Sequence, residues 1–172
     1  MTAPRTSSLG LRLWRHFVTD RAQVNRMFPP EALGRIERTI GECEQRHAGQ
    51  ICFVLEASLP LARVWSGLTP RERALEVFGS LRVWDTERND GVLIYVLLAD
   101  RDVEIVADRG IHAKVGAEGW EAICRTMEAA FAAGRGPDAA LAGIRAVGDH
   151  LAVHSPRTGA VANELSDRPI VL

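Results

Sequence analysis

Residues 91–110 read GVLIYVLLADRDVEIVADRG. The first nine, Gly91 to Ala99, form an unbroken apolar run, too short to cross a membrane and of the length expected for a strand covered on both faces. A second β-prone segment, residues 102–110, follows a turn around Asp100 and Arg101. So short a connection allows a hairpin and excludes a crossover, so the two strands are expected to be antiparallel neighbours. Closing the turn on Asp100 and Arg101 makes paired residue numbers sum to about 201, which sets Gly91 opposite Gly110 and Leu93 opposite Asp108.

Upstream, QICFVLEASL (50–59) is another short apolar run, bounded by Pro60, and suits a strand buried on both faces. Between it and the hairpin, Thr69, Pro70 and Glu72 supply a capping box with proline at the first helical position, and Ala74, Leu75, Phe78 and Leu81 form an apolar stripe. Two strands joined through a helix are expected to be parallel. Pro29 and Pro30 open an earlier helix, with Leu33, Ile36, Ile40 and Cys43 at helical spacing and a stop at Gly49. Downstream, one helix carries Trp120, Ile123, Met127 and Phe131 and ends at Gly134; another opens at Pro137 and carries Leu141, Ile144, Val147 and Leu151. The expected fold class is α/β: one domain with a mixed sheet of parallel and antiparallel strands sandwiched between helices.

With 172 residues, 47% hydrophobic and 25% charged, the chain fits one domain with a full core. Its net charge of −1 and pI near 6.5 give no field for nucleic acid or an anionic membrane surface. Cys43, Cys52 and Cys124 are odd in number and without a CxxC, which suits buried, reduced thiols. Basic residues interrupt the apolar part of LGLRLWRHFV, so no export signal is expected, nor any transmembrane segment, and the expected location is cytoplasmic. The chain is divided into an N-terminal amphipathic segment (1–29), the α/β domain (30–154) and a C-terminal tail (155–172). Both ends carry apolar residues: Leu11, Leu13, Trp14, Phe17 and Val18 in the first, Ile170, Val171 and Leu172 in the second. They are expected to dock on the domain or a partner, a short amphipathic helix on a membrane surface being the alternative use of LRLWRHFV, with the core between Pro30 and Leu151 folding without them.

The loop WDTERNDG (84–91) enters the first hairpin strand and ADRGI (107–111) leaves the second, so the pairing brings both to one end of the sheet. Asp85, Glu87, Asn89, Asp90 and Asp108 are then expected to face one small volume, bordered by Trp84, Gly91, Arg109 and Gly110 as binding residues. Oxygen donors gathered from loops are what calcium or magnesium requires, and nothing points to an organic cofactor. Asn-Asp-Gly is also a strong turn signal, so turn chemistry is the alternative explanation. The spacing is not that of an EF-hand: counting from Asp85, the sixth position is Asp90 rather than glycine and the twelfth is Val96 rather than glutamate.

Trp84, Gly91 to Leu93, Asp100 to Ile105 and Gly110, in that order, resemble the core of the TPM domain family, named for thylakoid-phosphatase-like and related proteins. The resemblance covers roughly residues 30–152 and implies a mixed sheet between helices. Members of this family include acid phosphatases, calcium binders and assistants of membrane-protein complexes, many with a signal peptide and a membrane helix that are not expected here.

Other catalytic patterns are incomplete. Asp100 and Asp102 imitate an aspartyl-phosphatase D-x-D, but the partner lysine and second acidic pair are missing, and a hairpin turn explains them. No cysteine is followed by arginine at the spacing of a cysteine-phosphatase loop. His150 and His154 lie one helical turn apart without a third ligand and read as a basic helix end, while Arg63, Arg71, Arg73 and Arg82 read as a mixed solvated face. Two functional classes follow: an accessory binding module, divalent-cation dependent, acting on a protein partner in a membrane-associated complex, and a metal-dependent acid phosphatase.

Overall fold

The computed structural model describes residues 9–159 and 162–172. The elements in chain order are α1 (Leu9–Val18), α2 (Arg21–Met27), α3 (Pro30–Glu44), β1 (Gln50–Glu56), α4 (Leu61–Trp65), α5 (Pro70–Ser80), β2 (Gly91–Leu97), β3 (Asp102–Ala107), α6 (Arg109–Ala132), α7 (Gly136–His154) and β4 (Ile170–Val171). They build the expected mixed sheet, in the order β3-β2-β1-β4. β1 is parallel to β2 and β4, and β2 is antiparallel to β3. Every residue of β1 and β2 is buried, which explains why both read as continuous apolar runs. One face of the sheet (Ile51, Phe53, Leu55, Val92, Ile94 and Val96) packs under α3, α6 and α7. The other (Cys52, Val54, Leu93, Tyr95 and Leu97) packs under α4 and α5, with Leu13 of α1 against it. The capping box closes as expected: Glu72 N–H donates to Thr69 Oγ1 at 3.2 Å, and Thr69 N–H donates to Glu72 Oε2 at 2.8 Å.

The hairpin differs from expectation in its register. Val92 pairs with Ala107 and Leu97 with Asp102, so partners sum to 199 and the loop holds four residues, 98–101. The cause lies in β1. Leu98 and Ala99 N–H groups donate to the carbonyls of Glu56 and Ala57, so these residues stay bound to the parallel neighbour and cannot pair with β3. The loop closes with Arg101 N–H on Leu98 O at 3.0 Å, Arg101 taking a left-handed φ of 54°. The second strand also stops at Ala107 rather than Gly110, because Asp108 caps α6. α6 therefore begins well before Trp120 and is interrupted at Gly116, whose φ of 76° is not helical.

The tail is laid over the surface. Gln50 Oε1 accepts from the N–H groups of Glu164 and Leu165 at 2.9 and 3.0 Å, and Ile170 and Val171 pair with Val54 and Leu55, covering the β1 edge. On the opposite edge, Arg71 donates to Ile105 O at 2.6 Å and Glu128 accepts from Val103 N–H at 3.4 Å, so side chains occupy backbone groups that no strand pairs.

Candidate functional site

The β2 loop and the start of α6 meet at the amino end of β2. Asp108 N–H donates to Gly91 O at 2.9 Å and Ile111 N–H to Asn89 O at 3.2 Å. This closeness depends on Gly110, where a Cβ would lie 2.6 Å from Asn89 O, while Gly91 lets the loop fold back on itself, since a Cβ there would lie 2.0 Å from Val83 O. Asn89 turns the chain with a φ of 53°, and Asp90 N–H donates to Thr86 Oγ1 at 3.2 Å. The turn reading of Asn-Asp-Gly is thus correct for the backbone.

Asp90 and Asp108 are both buried, and each uses one carboxylate oxygen. Asp90 Oδ2 accepts from Ser155 Oγ, and Asp108 Oδ1 accepts from Arg109 N–H at 2.6 Å. Asp90 Oδ1 and Asp108 Oδ2 are buried without a hydrogen-bond partner. Buried carboxylate oxygens demand a donor or a cation, so each of these two is a chemically unfinished group. Asp90 and Ser155 open onto a cleft of about 240 Å³ lined also by Arg88, Gly110, Lys114 and His154. That volume suits an ion or a small anionic group rather than a cofactor.

The remaining expected ligands do not join them. Asp85 lies at the surface, paired with Arg82 at 2.8 Å, and Arg82 also stacks over the half-exposed Trp84 ring at 5.9 Å from its centre. Glu87 is exposed, and its N–H donates to Glu164 Oε2 of the tail at 3.0 Å. Arg109 is exposed, contributing its backbone N–H to Asp108. Among the described residues no group of three or more His, Cys, Asp or Glu side chains gathers as a metal cluster. The cleft is lined by Asp90 and not by Asp108, so the structure gives a hard cation there one carboxylate with neighbouring hydroxyl and carbonyl oxygens.

Two buried groups at the same end escaped the sequence reading. His47 Nδ1–H donates to Gly49 O at 3.0 Å, its Nε2 is buried without a partner, and burial pushes its pKa down to about 4. Glu44 accepts from Ile51 N–H at 2.9 Å, and burial pushes its pKa up to about 7. Neither belongs to a motif; both acquire their environment when α3 folds onto β1.

At the opposite end of the sheet Asp100 is more than a turn residue. Arg12 donates to it through Nε at 3.0 Å and Nη2 at 2.8 Å, and His16 Nε2 lies 3.2 Å away while its Nδ1 accepts from Leu59 N–H at 2.9 Å. Burial alone raises the Asp100 pKa, but the hydrogen bonds from His16 and Arg12 outweigh it and hold the carboxyl at about 2. Arg73 likewise leaves the expected solvated face, binding buried Glu56 through Nε at 2.9 Å and Nη2 at 3.1 Å, with Tyr95 Oη donating to the same carboxylate at 2.6 Å. His150 packs edge-on against Trp120. Cys52 and Cys124 thiols are pushed up to about 12 by burial, and Cys43 is raised for the same reason, which makes all three poor nucleophiles.

A TPM domain matches residues 18–150, well over half the sequence, and the chain belongs to the TPM domain family. Among solved structures it is similar to the BA42 protein of the psychrophilic bacterium Bizionia argentinensis: 26% identity, TM-score 0.73, covering 83% of this chain and 93% of that one. The N-terminal domain of a protein from P. gingivalis shares the fold at 14% identity and TM-score 0.59, over 76% of this chain and 83% of that one. No curated protein matches the sequence.

Proposed function

We propose that this TPM domain is an accessory binding module for a membrane-associated protein complex, and that a divalent cation tunes it. The observation that carries the reading is the pair of buried, unpartnered carboxylate oxygens on Asp90 and Asp108, which flank the Gly91–Asp108 contact between the β2 loop and α6. Asp90 and Asp108 would hold the cation, with Thr86 and Ser155 supplying hydroxyls nearby. A divalent ion held there would supply charge that neutralises the buried carboxylates, and these residues would then be held more stiffly at the junction of loop and helix. Surface residues around the junction, including Trp84 and Arg109, would present themselves to the partner.

Calorimetry with calcium chloride on the full chain tests this. Wild type is expected to bind, and Asp90→Asn and Asp108→Asn each to weaken binding by about tenfold or more, since the amides keep the Ser155 and Arg109 hydrogen bonds but lose the charge. Absence of heat from wild type at millimolar calcium overturns the cation site. The second reading, a metal-dependent phosphomonoesterase, is favoured by Arg88 and Lys114 lining the same cleft as Asp90, cations that suit a phosphoryl group. Aryl phosphate hydrolysis that disappears with chelator and in Asp90→Asn supports it; turnover in excess chelator counts against it.

A further inference from the structure

α1 is docked inside out. A surface helix normally buries its apolar side and turns its charges to water, but here Arg12 and His16 point inward to Asp100 while only Leu13 among the large apolar residues packs on the domain. The outward side carries Leu11, Trp14, Phe17 and Val18, at the i, i+3, i+6 and i+7 spacing of one face. Trp14 is 60% exposed and Phe17 69%, their rings 6.0 Å apart. α4, which packs beside α1, adds Trp65 at 70% exposure and Leu61. Single exposed apolar residues need no explanation, but two neighbouring aromatics on a helix held by its polar side do.

The charge around this face identifies its occupant. Residues 9–30 contain four arginines, Arg12, Arg15, Arg21 and Arg26, against Asp20, with Arg12 and Arg15 sharing the inward Asp100, which leaves a net of +2 on this side. Arg21 and Arg26 of the following helix, α2, are exposed, and Arg15 is partly exposed while 3.8 Å from Asp100. Exposed Trp14 and Phe17 on α1 together with exposed Arg21 and Arg26 on α2, a side with a net positive charge, match a surface offering anionic headgroups above an apolar layer. We infer that α1, with the exposed end of α4, seats the domain on an anionic lipid bilayer. The attachment is peripheral: among the described residues no helix is long and apolar enough to span a membrane. It does not depend on the cation site, which lies at the other end of the sheet.

The test is co-sedimentation of the full chain, in chelator, with vesicles of phosphatidylcholine alone or mixed with phosphatidylglycerol. Binding is expected to the mixed vesicles, to fall by about tenfold or more in molar salt, and to fall similarly in Trp14→Ser/Phe17→Ser. Those two side chains are largely in water, so the double variant should keep the wild-type melting temperature, which shows that it still folds. Asp90→Asn should bind the vesicles like wild type, separating this inference from the cation reading. Failure to bind mixed vesicles overturns it, as does equal binding by the double variant. Concentration-dependent self-association that the double variant abolishes, without vesicle binding, assigns the face to a second copy instead.

Discussion

Glu44 and His47 sit three residues apart and are displaced by burial in opposite senses. Glu44, raised from 4.5 to about 7 by burial with Asp167 adding to the effect, contributes stability that is complete below pH 4.5 and lost as pH rises through 7. His47, lowered from 6.5 to about 4 by burial, contributes stability present above pH 6.5 and lost as pH falls through 4. Between pH 4.5 and 6.5 the two slopes oppose each other, so wild-type stability is expected to be nearly flat there. Glu44→Gln keeps an acceptor for Ile51 N–H and removes one slope. Urea denaturation of that variant in chelator should show stability rising by about 3 kcal/mol from pH 4 to 6.5, the size of a shift of two to three pKa units. A variant as flat as wild type would show that burial shifts the titration of neither His47 nor Glu44.

At the scale of elements, the α1 anchor turns on one carboxylate. Removing Asp100 leaves the Arg12 guanidinium and His16 ring at the end of the hairpin without their shared carboxylate, held only by the Leu68 carbonyl and the Leu59 N–H. Asp100→Ala is expected to cost about 2–3 kcal/mol and to free α1 before the sheet unfolds. Hydrogen exchange checks this: amides of residues 9–18 should lose protection in the variant while those of β1 and β2 keep theirs. Because the Asp100 pKa is depressed from 3.8 to about 2, its contribution is complete above pH 3.8 and disappears as pH falls through 2, so acid should detach α1 in the same window. Loss of protection spread evenly over α1 and the sheet would show that the helix is part of the cooperative core.

For the whole molecule, the question is what the tail contributes to a sheet that already has its helices. β4 closes the β1 edge, Leu165 and Ile170 pack on the face shared with α4 and α5, and two tail amides occupy the buried Gln50 oxygen. Deleting residues 162–172 is expected to leave a folded, two-state domain whose stability falls by about 3 kcal/mol, from lost apolar burial and an orphaned Gln50. Unchanged denaturation would make the tail ornamental; an unfolded product would place it in the core.

Local chemistry made the fold legible from sequence. Short apolar runs rich in Val and Ile suit strands covered on both faces, and a loop too short for a crossover forces antiparallel pairing. Thr69-Pro70-Glu72 can start a helix without help from elsewhere. The TPM resemblance followed because its motif lies in just those segments. Register was not legible, because β1 carbonyls decide how many hairpin residues remain for β3. A strand as short as β4 has no periodicity of its own. Of the acidic loop, the sequence showed that its carboxylates lie close along the chain. Burial of Asp90 and Asp108, exposure of Asp85 and Glu87, and the grip of Arg12 and His16 on Asp100 came only from tertiary structure, since burial belongs to packed surfaces and not to sequence spacing.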